Sequence, residues 1–128
     1  MRYTLLLYYP EPPPGELDSE ASAEGMRAFQ AYADALDAAG ILRSAEVLQQ
    51  SHATTTVSRI GGELVVQDGP FADTKERLGG SFVIEVDGLD DAIRWASEAP
   101  SAAWGHVEVR PSGVRYVDGA WVATPVRG

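Results

Sequence analysis

Three observations in this 128-residue chain predict an α+β fold of the split β-α-β, ferredoxin-like kind. The first strand is apolar on both alternating faces, two segments carry helical apolar stripes, and Gly-Gly and Asp-Gly pairs sit where hairpins would turn. The order reads β-α-β-β-α-β, an antiparallel sheet with both helices on one face, followed by a C-terminal β-hairpin extension. Residues 1–111 make the domain and 112–128 the extension.

The first strand is RYTLLLYY, residues 2–9, with Tyr3, Leu5, Leu7 and Tyr9 on one face and Leu6 and Tyr8 on the other. That pattern suits a central strand covered on both sides. PEPPPGELDS follows, and its four prolines lack N–H donors, so it reads as a surface linker. From about Glu20 to Ala39, Met26, Phe29, Ala33 and Leu36 recur at helical spacing. Asp18 or Ser19 is placed to cap this helix, and Gly40 stands where a left-handed C-terminal residue belongs.

In AEVLQQSHATTTVSRI the β-branched run from Thr54 to Ile60 predicts a strand, with a bend near Gln50 to His52. Gly61-Gly62 turns the chain and ELVVQ returns antiparallel. SFVIEV, residues 81–86, alternates Phe82, Ile84 and Val86 against Val83 and Glu85. Leu89, Ala92, Ile93 and Ala96 mark a second helix, started near Asp87 or Asp90 and stopped by Pro100. HVEVR, residues 106–110, is the last sheet strand, and VRYVDGAWVAT reads as a hairpin turned at Asp118-Gly119.

Two helices cover one face of such a sheet, so the second apolar face of the first strand needs another cover. A second copy of the chain supplies it most simply, which predicts a homodimer with facing sheets.

The composition excludes several functions. Nineteen acidic against ten basic residues leave a net charge of −9, a field that repels nucleic acid and anionic membrane surfaces. Without cysteine there is no disulfide, thiolate nucleophile or thiolate metal site. The N-terminal apolar run is too short to span a bilayer and lacks a cleavage site, so the chain reads as cytoplasmic. No phosphate loop, dinucleotide fingerprint or nucleophile elbow occurs. His52 and His106 lack the spacing of a metal pair, and neither a metal nor a cofactor is expected.

The chemistry concentrates in QDGPFADTKERLGG, residues 67–80, which holds five charged side chains. Asp68, a carboxylate at a strand end beside apolar neighbours, is a candidate general acid or base. Asp-Gly-Pro also suits a turn, because the Asp accepts from nearby N–H groups, Gly permits positive φ and Pro fixes the next residue. Phe71 reads as a plug at the dimer or helix–sheet junction, or as the apolar wall of a pocket. Lys75 can hold a carboxylate or phosphate as a point charge with Glu76 orienting it, or both can simply solvate the loop. Gly79 and Gly80 let a ligand approach the backbone, or form a bulge. His52, at a strand bend, is a second catalytic candidate or a hydrogen-bonded surface residue.

DGPFADTKERLGG resembles the signature of the DGPF subgroup of the YCII-related (YciI-like) proteins, in which Asp-Gly-Pro-Phe, Thr-Lys-Glu and Gly-Gly follow in order. The resemblance extends through YTLLLYY, VLQQSHATTTV, LDDAIRWA and VEVRP, covering residues 2–111. It implies a ferredoxin-like fold pairing into a dimeric α/β barrel, with a ligand cleft beside the signature loop. Lactone-processing enzymes and small monooxygenases belong to the wider superfamily, and some members carry a transcription-associated label. The chain departs from YciI-like proteins in lacking any His between residues 10 and 40, so a His–Asp dyad there does not carry over. The proline that often follows the Leu of the second strand is Gln49 or Gln50.

Two functions follow as expectations. One is a small organic ligand bound beside the loop, with cofactor-free acid–base chemistry in which Asp68 moves a proton and Glu76 or His52 orients the groups. The other is a regulatory or adaptor protein whose charged loop engages a protein partner. The first needs Asp68 turned into a hollow, the second Lys75, Glu76 and Arg77 on a convex rim.

Overall fold

The structure, a computed structural model, describes residues 1–12 and 19–124. The cap position Asp18, most of the proline-rich linker and the last four residues lie outside them. The elements in chain order are β1 (Arg2–Tyr9), α1 (Ser19–Ala38), β2 (Leu42–Val47), a 3₁₀ turn (Ser51–Ala53), β3 (Thr55–Ile60), β4 (Glu63–Asp68), β5 (Arg77–Glu85), α2 (Leu89–Ser97), α3 (Ser101–Trp104), β6 (His106–Pro111), β7 (Val114–Val117) and β8 (Ala120–Ala123).

Four strands form one open antiparallel sheet in the order β2-β5-β1-β6. The pairs β3–β4 and β7–β8 are separate two-stranded ribbons. This corrects the expected strand assignment. The run from Thr54 to Ile60 does form a strand, β3 from Thr55 onward, but it stands outside the main sheet, and the residues before the bend belong to a further strand, β2, that is part of it. β2 was hidden because LRSAEV lies on a sheet edge with nearly every side chain in water, so no apolar alternation marks it. β5 starts at Arg77, four residues before the alternating SFVIEV pattern begins.

The core lies on one sheet face. Tyr3, Leu5 and Leu7 of β1, with Phe82 and Ile84 of β5, pack against Phe29, Tyr32 and Leu36 of α1 and Ala92 and Ala96 of α2. Phe29 stacks on Phe82 at 6.4 Å between ring centroids, and Tyr32 meets Phe82 edge-on at 5.1 Å. The α2 stripe is narrower than its spacing suggests. Ala92 and Ala96 are buried, but Leu89 and Ile93 remain half exposed, as does Met26 on α1. Pro100 does not merely end α2, which stops at Ser97; it caps the short α3.

The opposite sheet face is mixed rather than wholly apolar. Thr4, Leu6 and Tyr8 of β1 stand beside Val83, Ser81 and Leu78 of β5, and beside Arg110, Glu108 and His106 of β6. Lateral contact with these neighbours leaves Leu6 and Tyr8 only partly exposed. The hairpin turns follow their residue types, with positive φ at Gly61 and Gly62 and at Asp118 and Gly119. No helix among the described residues is long and apolar enough to cross a membrane.

Candidate functional site

At one end of the sheet, where β1 runs out and β5 begins, Tyr9 pairs with Arg77. Directly behind this pair, Leu7 faces Gly80 and Tyr8 faces Leu78, so Gly79 is the extra residue of a β-bulge. The Tyr9 ring lies across Gly79, and its hydroxyl donates to the Gly79 carbonyl at 3.3 Å. A Cβ at Gly79 would fall 2.1 Å from that ring, and one at Gly80 would fall 2.7 Å from the Glu46 carbonyl oxygen. Both glycines are buried and their missing side chains are replaced by neighbours, so in this chain they shape the entry of the loop into β5.

The chain beyond Tyr9 carries Glu11 out to the 3₁₀ turn. Both carboxylate oxygens of Glu11 accept from the Ser51 backbone N–H, at 2.9 and 3.1 Å, and the Ser51 hydroxyl donates at 2.5 Å. The turn itself closes by Ala53 N–H to Gln50 O and Thr54 N–H to Ser51 O, each 3.0 Å. A tie between residues forty apart thus fixes the linker against the turn. The Tyr9 phenol is pushed above its ordinary value, first by burial and then by the negative charge of Glu11.

The signature loop is held from inside. Arg77 donates through Nη2 to Asp73 at 2.6 Å and through Nη1 to the Ala72 carbonyl at 3.2 Å. The Thr74 hydroxyl donates to the Glu76 carbonyl. Glu76 leaves the loop sideways, and its Oε1 meets His106 Nδ1 at 2.7 Å. Gly105 makes room for that contact: a Cβ there would lie 2.9 Å from Glu76 Oε1 and 2.1 Å from the Tyr8 carbonyl oxygen.

Between linker, turn and loop opens a cleft of about 580 Å³ lined by Glu11, Pro12, Gln50, Ser51, His52, Asp73, Thr74, Lys75 and Arg77. Its size lies in the range of small-molecule sites. A second, smaller groove of about 370 Å³ runs between α2 and β6 past Ile93, Ala96, Val107 and Val109.

Among the residues singled out from sequence, His52 and Lys75 come together on the cleft wall. Asp68 does not join them. It ends β4 opposite Thr55, is exposed, and stands outside the cleft lining. Its neighbourhood is that of a turn: Gly69 has φ +94°, its N–H donates to Thr54 O at 2.7 Å, and Thr56 Oγ1 donates to Gly69 O at 2.8 Å. Phe71 is 90% exposed, so it plugs no junction within the subunit. Glu76 bonds to His106 and is not among the cleft residues. Among the described residues, no group of three His, Asp or Glu side chains is placed to hold a metal.

Glu11 and Ser51 escaped the sequence reading, which considered Arg77 only as part of a convex charged rim. Glu11 carried one signal, a single carboxylate inside a run of prolines that would hold it in place. Ser51 carried none, since it acts through a partner that only the fold supplies.

Fold and site together define a small α+β protein with a polar cleft at the end of its sheet. The chain belongs to the YCII-related family, whose domain model matches residues 1–112. It is similar to an uncharacterised protein of Rhizobium meliloti (strain 1021), with 34% identity over 113 residues, 87% of this chain and 91% of the relative.

Proposed function

We propose that this YCII-related protein binds a small organic molecule in the cleft between linker, 3₁₀ turn and signature loop, and that His52 moves a proton on it. The observation that carries the reading is the convergence of three separate chain segments on one hollow whose walls include an imidazole and the only lysine of the chain. An imidazole carries two ring nitrogens, one able to give a proton and the other to take one, which suits it to acid–base work. The role first considered for Asp68 passes to His52, because Asp68 stands outside the hollow. Chemical-shift mapping with a panel of small acids, lactones and aromatics tests the proposal. Binders should move the amides of Ser51–Ala53 and Asp73–Arg77, and a panel that moves none of them overturns it.

The same reading assigns the core to the ferredoxin-like class and the chain to the DGPF subgroup, supported by the strand order and by DGPFADTKERLGG. It includes a homodimer of the dimeric α/β-barrel kind, supported by partly exposed Leu6, Tyr8 and Val83 on the uncovered sheet face. Light scattering at twice the subunit mass is expected, and a monomer at all concentrations overturns that part. Phe71, 90% exposed at the loop tip, favours a second reading as an adaptor for a protein partner. In that case Phe71→Ala abolishes partner capture while the cleft binds nothing.

A further inference from the structure

Resting on the cleft reading above, we propose that the ligand is a short polar organic acid bound as its carboxylate, with Lys75 as the anchoring cation and His52 and Gln50 facing its second oxygen function. The argument begins with hydrogen-bond accounting. Glu11 is engaged by Ser51, Asp73 and Arg77 are engaged with each other, and the Thr74 hydroxyl is engaged by the Glu76 carbonyl. The side chains left without a hydrogen bond or ion pair among the described residues are Lys75, His52 and Gln50. Lysine offers three donors and no acceptor, an amide offers two donors, and an imidazole offers at least one. The unclaimed capacity is therefore mostly donor, and it fits a ligand rich in acceptors.

Charge narrows the class. The charges of the Asp73–Arg77 pair offset each other and the carboxylate of Glu11, still negative, is turned to the Ser51 N–H and hydroxyl, which leaves Lys75 as the cation able to turn to a ligand. A single ammonium matches a single carboxylate. A phosphoryl dianion is normally met by an arginine fork or a helix N-terminus, and the lining offers neither in a free state. The wall chemistry narrows it again: of the nine lining residues only Pro12 has a wholly apolar side chain, so the site gives little surface on which to pack an aromatic ring. A short hydroxy- or oxo-acid satisfies all three conditions.

The test compares lactate with lactamide, its neutral counterpart of nearly equal shape, by amide chemical-shift titration of the intact chain. The arms are wild type, Lys75→Gln and Lys75→Arg, with inorganic phosphate as a third probe. Lys75 is exposed and bonded to no described residue, so both variants should keep the wild-type spectrum away from the loop. Loss of one charge-assisted contact predicts roughly tenfold weaker binding for lactamide, and for lactate to Lys75→Gln, with Lys75→Arg close to wild type. Lactamide binding as tightly as lactate, or Lys75→Gln binding lactate normally, overturns the anion assignment while the cleft itself stands. Phosphate binding tighter than lactate with the same Lys75 dependence overturns the carboxylate assignment. If lactate, lactamide and phosphate all leave the cleft amides unmoved, the acid class falls, and the cleft reading falls too once the lactones and aromatics of the wider panel also fail.

Discussion

His106 Nδ1, at the start of β6, lies 2.7 Å from Glu76 Oε1 in the signature loop. An ionised carboxylate only accepts, so the imidazole donates and its tautomer or charge is set accordingly. Glu76 stands between Lys75 and Arg77, both on the cleft wall, so this one bond helps set how the wall is presented. His106→Ala should speed amide hydrogen exchange from Thr74 to Arg77 while lowering global stability by only about 0.2–1 kcal/mol, because the imidazole side of the pair is largely in water. His106→Asn, which keeps a donor, should restore most of the protection. Unchanged exchange in His106→Ala would show that the loop holds itself through Arg77 alone.

Gly105→Ala should be costly. The new methyl meets the Tyr8 carbonyl at 2.1 Å and the Tyr9 Cα at 2.9 Å, both backbone atoms that cannot swing aside. Overpacking of this kind costs about 1–3 kcal/mol. Gly113→Ala, where nothing lies within 4 Å, is the control and should change denaturant midpoints little. Equal midpoints for the two variants would contradict the close approach of β1 and β6 at this point.

Leu7 and Phe71 are both large and apolar, yet they should respond oppositely to truncation. Leu7 is fully buried in the core, and Leu7→Ala is expected to cost about 2–5 kcal/mol. Phe71→Ala should stay within about 0.5 kcal/mol in dilute solution. A melting temperature that rises with protein concentration in wild type but not in Phe71→Ala would place a second copy over that ring.

Tyr32 predicts an alkaline limit to stability. Its phenol donates to the Trp95 carbonyl at 2.7 Å, and it is pushed well above its ordinary value by burial first and by Glu98 second. The folded state keeps this proton after the unfolded chain has lost it near pH 10. Its contribution is therefore intact below pH 10 and declines as pH climbs from there toward the folded value. Tyr32→Phe should flatten the fall of denaturant midpoints above pH 10, with a modest loss at neutral pH. A fall as steep as in wild type would assign the alkaline limit to other groups, Tyr9 among them.

The sequence made visible those elements whose burial pattern matches their own period. β1 alternates about a buried Tyr3, Leu5 and Leu7, and α1 carries Phe29 and Leu36 on one stripe, so both were legible to within a residue or two. β2 was not, because an edge strand in water has no reason to alternate. At the site, the loop dense in charge supplies one wall of the cleft, and His52 and Lys75, both singled out from the sequence, line the cleft. Asp68 stands outside the cleft, at a corner that Gly69 and the hydroxyl of Thr56 shape, a placement that depends on the fold and not on the local sequence. The Glu11–Ser51 tie joins a linker to a turn across forty residues, and no local pattern encodes a contact of that range.

Among the described residues the strands β7 and β8 pair only with each other, and the ribbon is closed at its base by Thr124 N–H to the Gly113 carbonyl at 2.9 Å. Across it, Tyr116 meets Trp121 edge-on at 5.4 Å, whereas Trp95 and Trp104 sit with the helices. The molecule thus carries a local chromophore on its appendage and two others beside its main body. In a chain retaining Trp121 alone, fluorescence would follow the ribbon's melting independently of far-ultraviolet dichroism from the sheet and helices, making this tail an internal thermometer for how tightly the appendage is coupled to the rest.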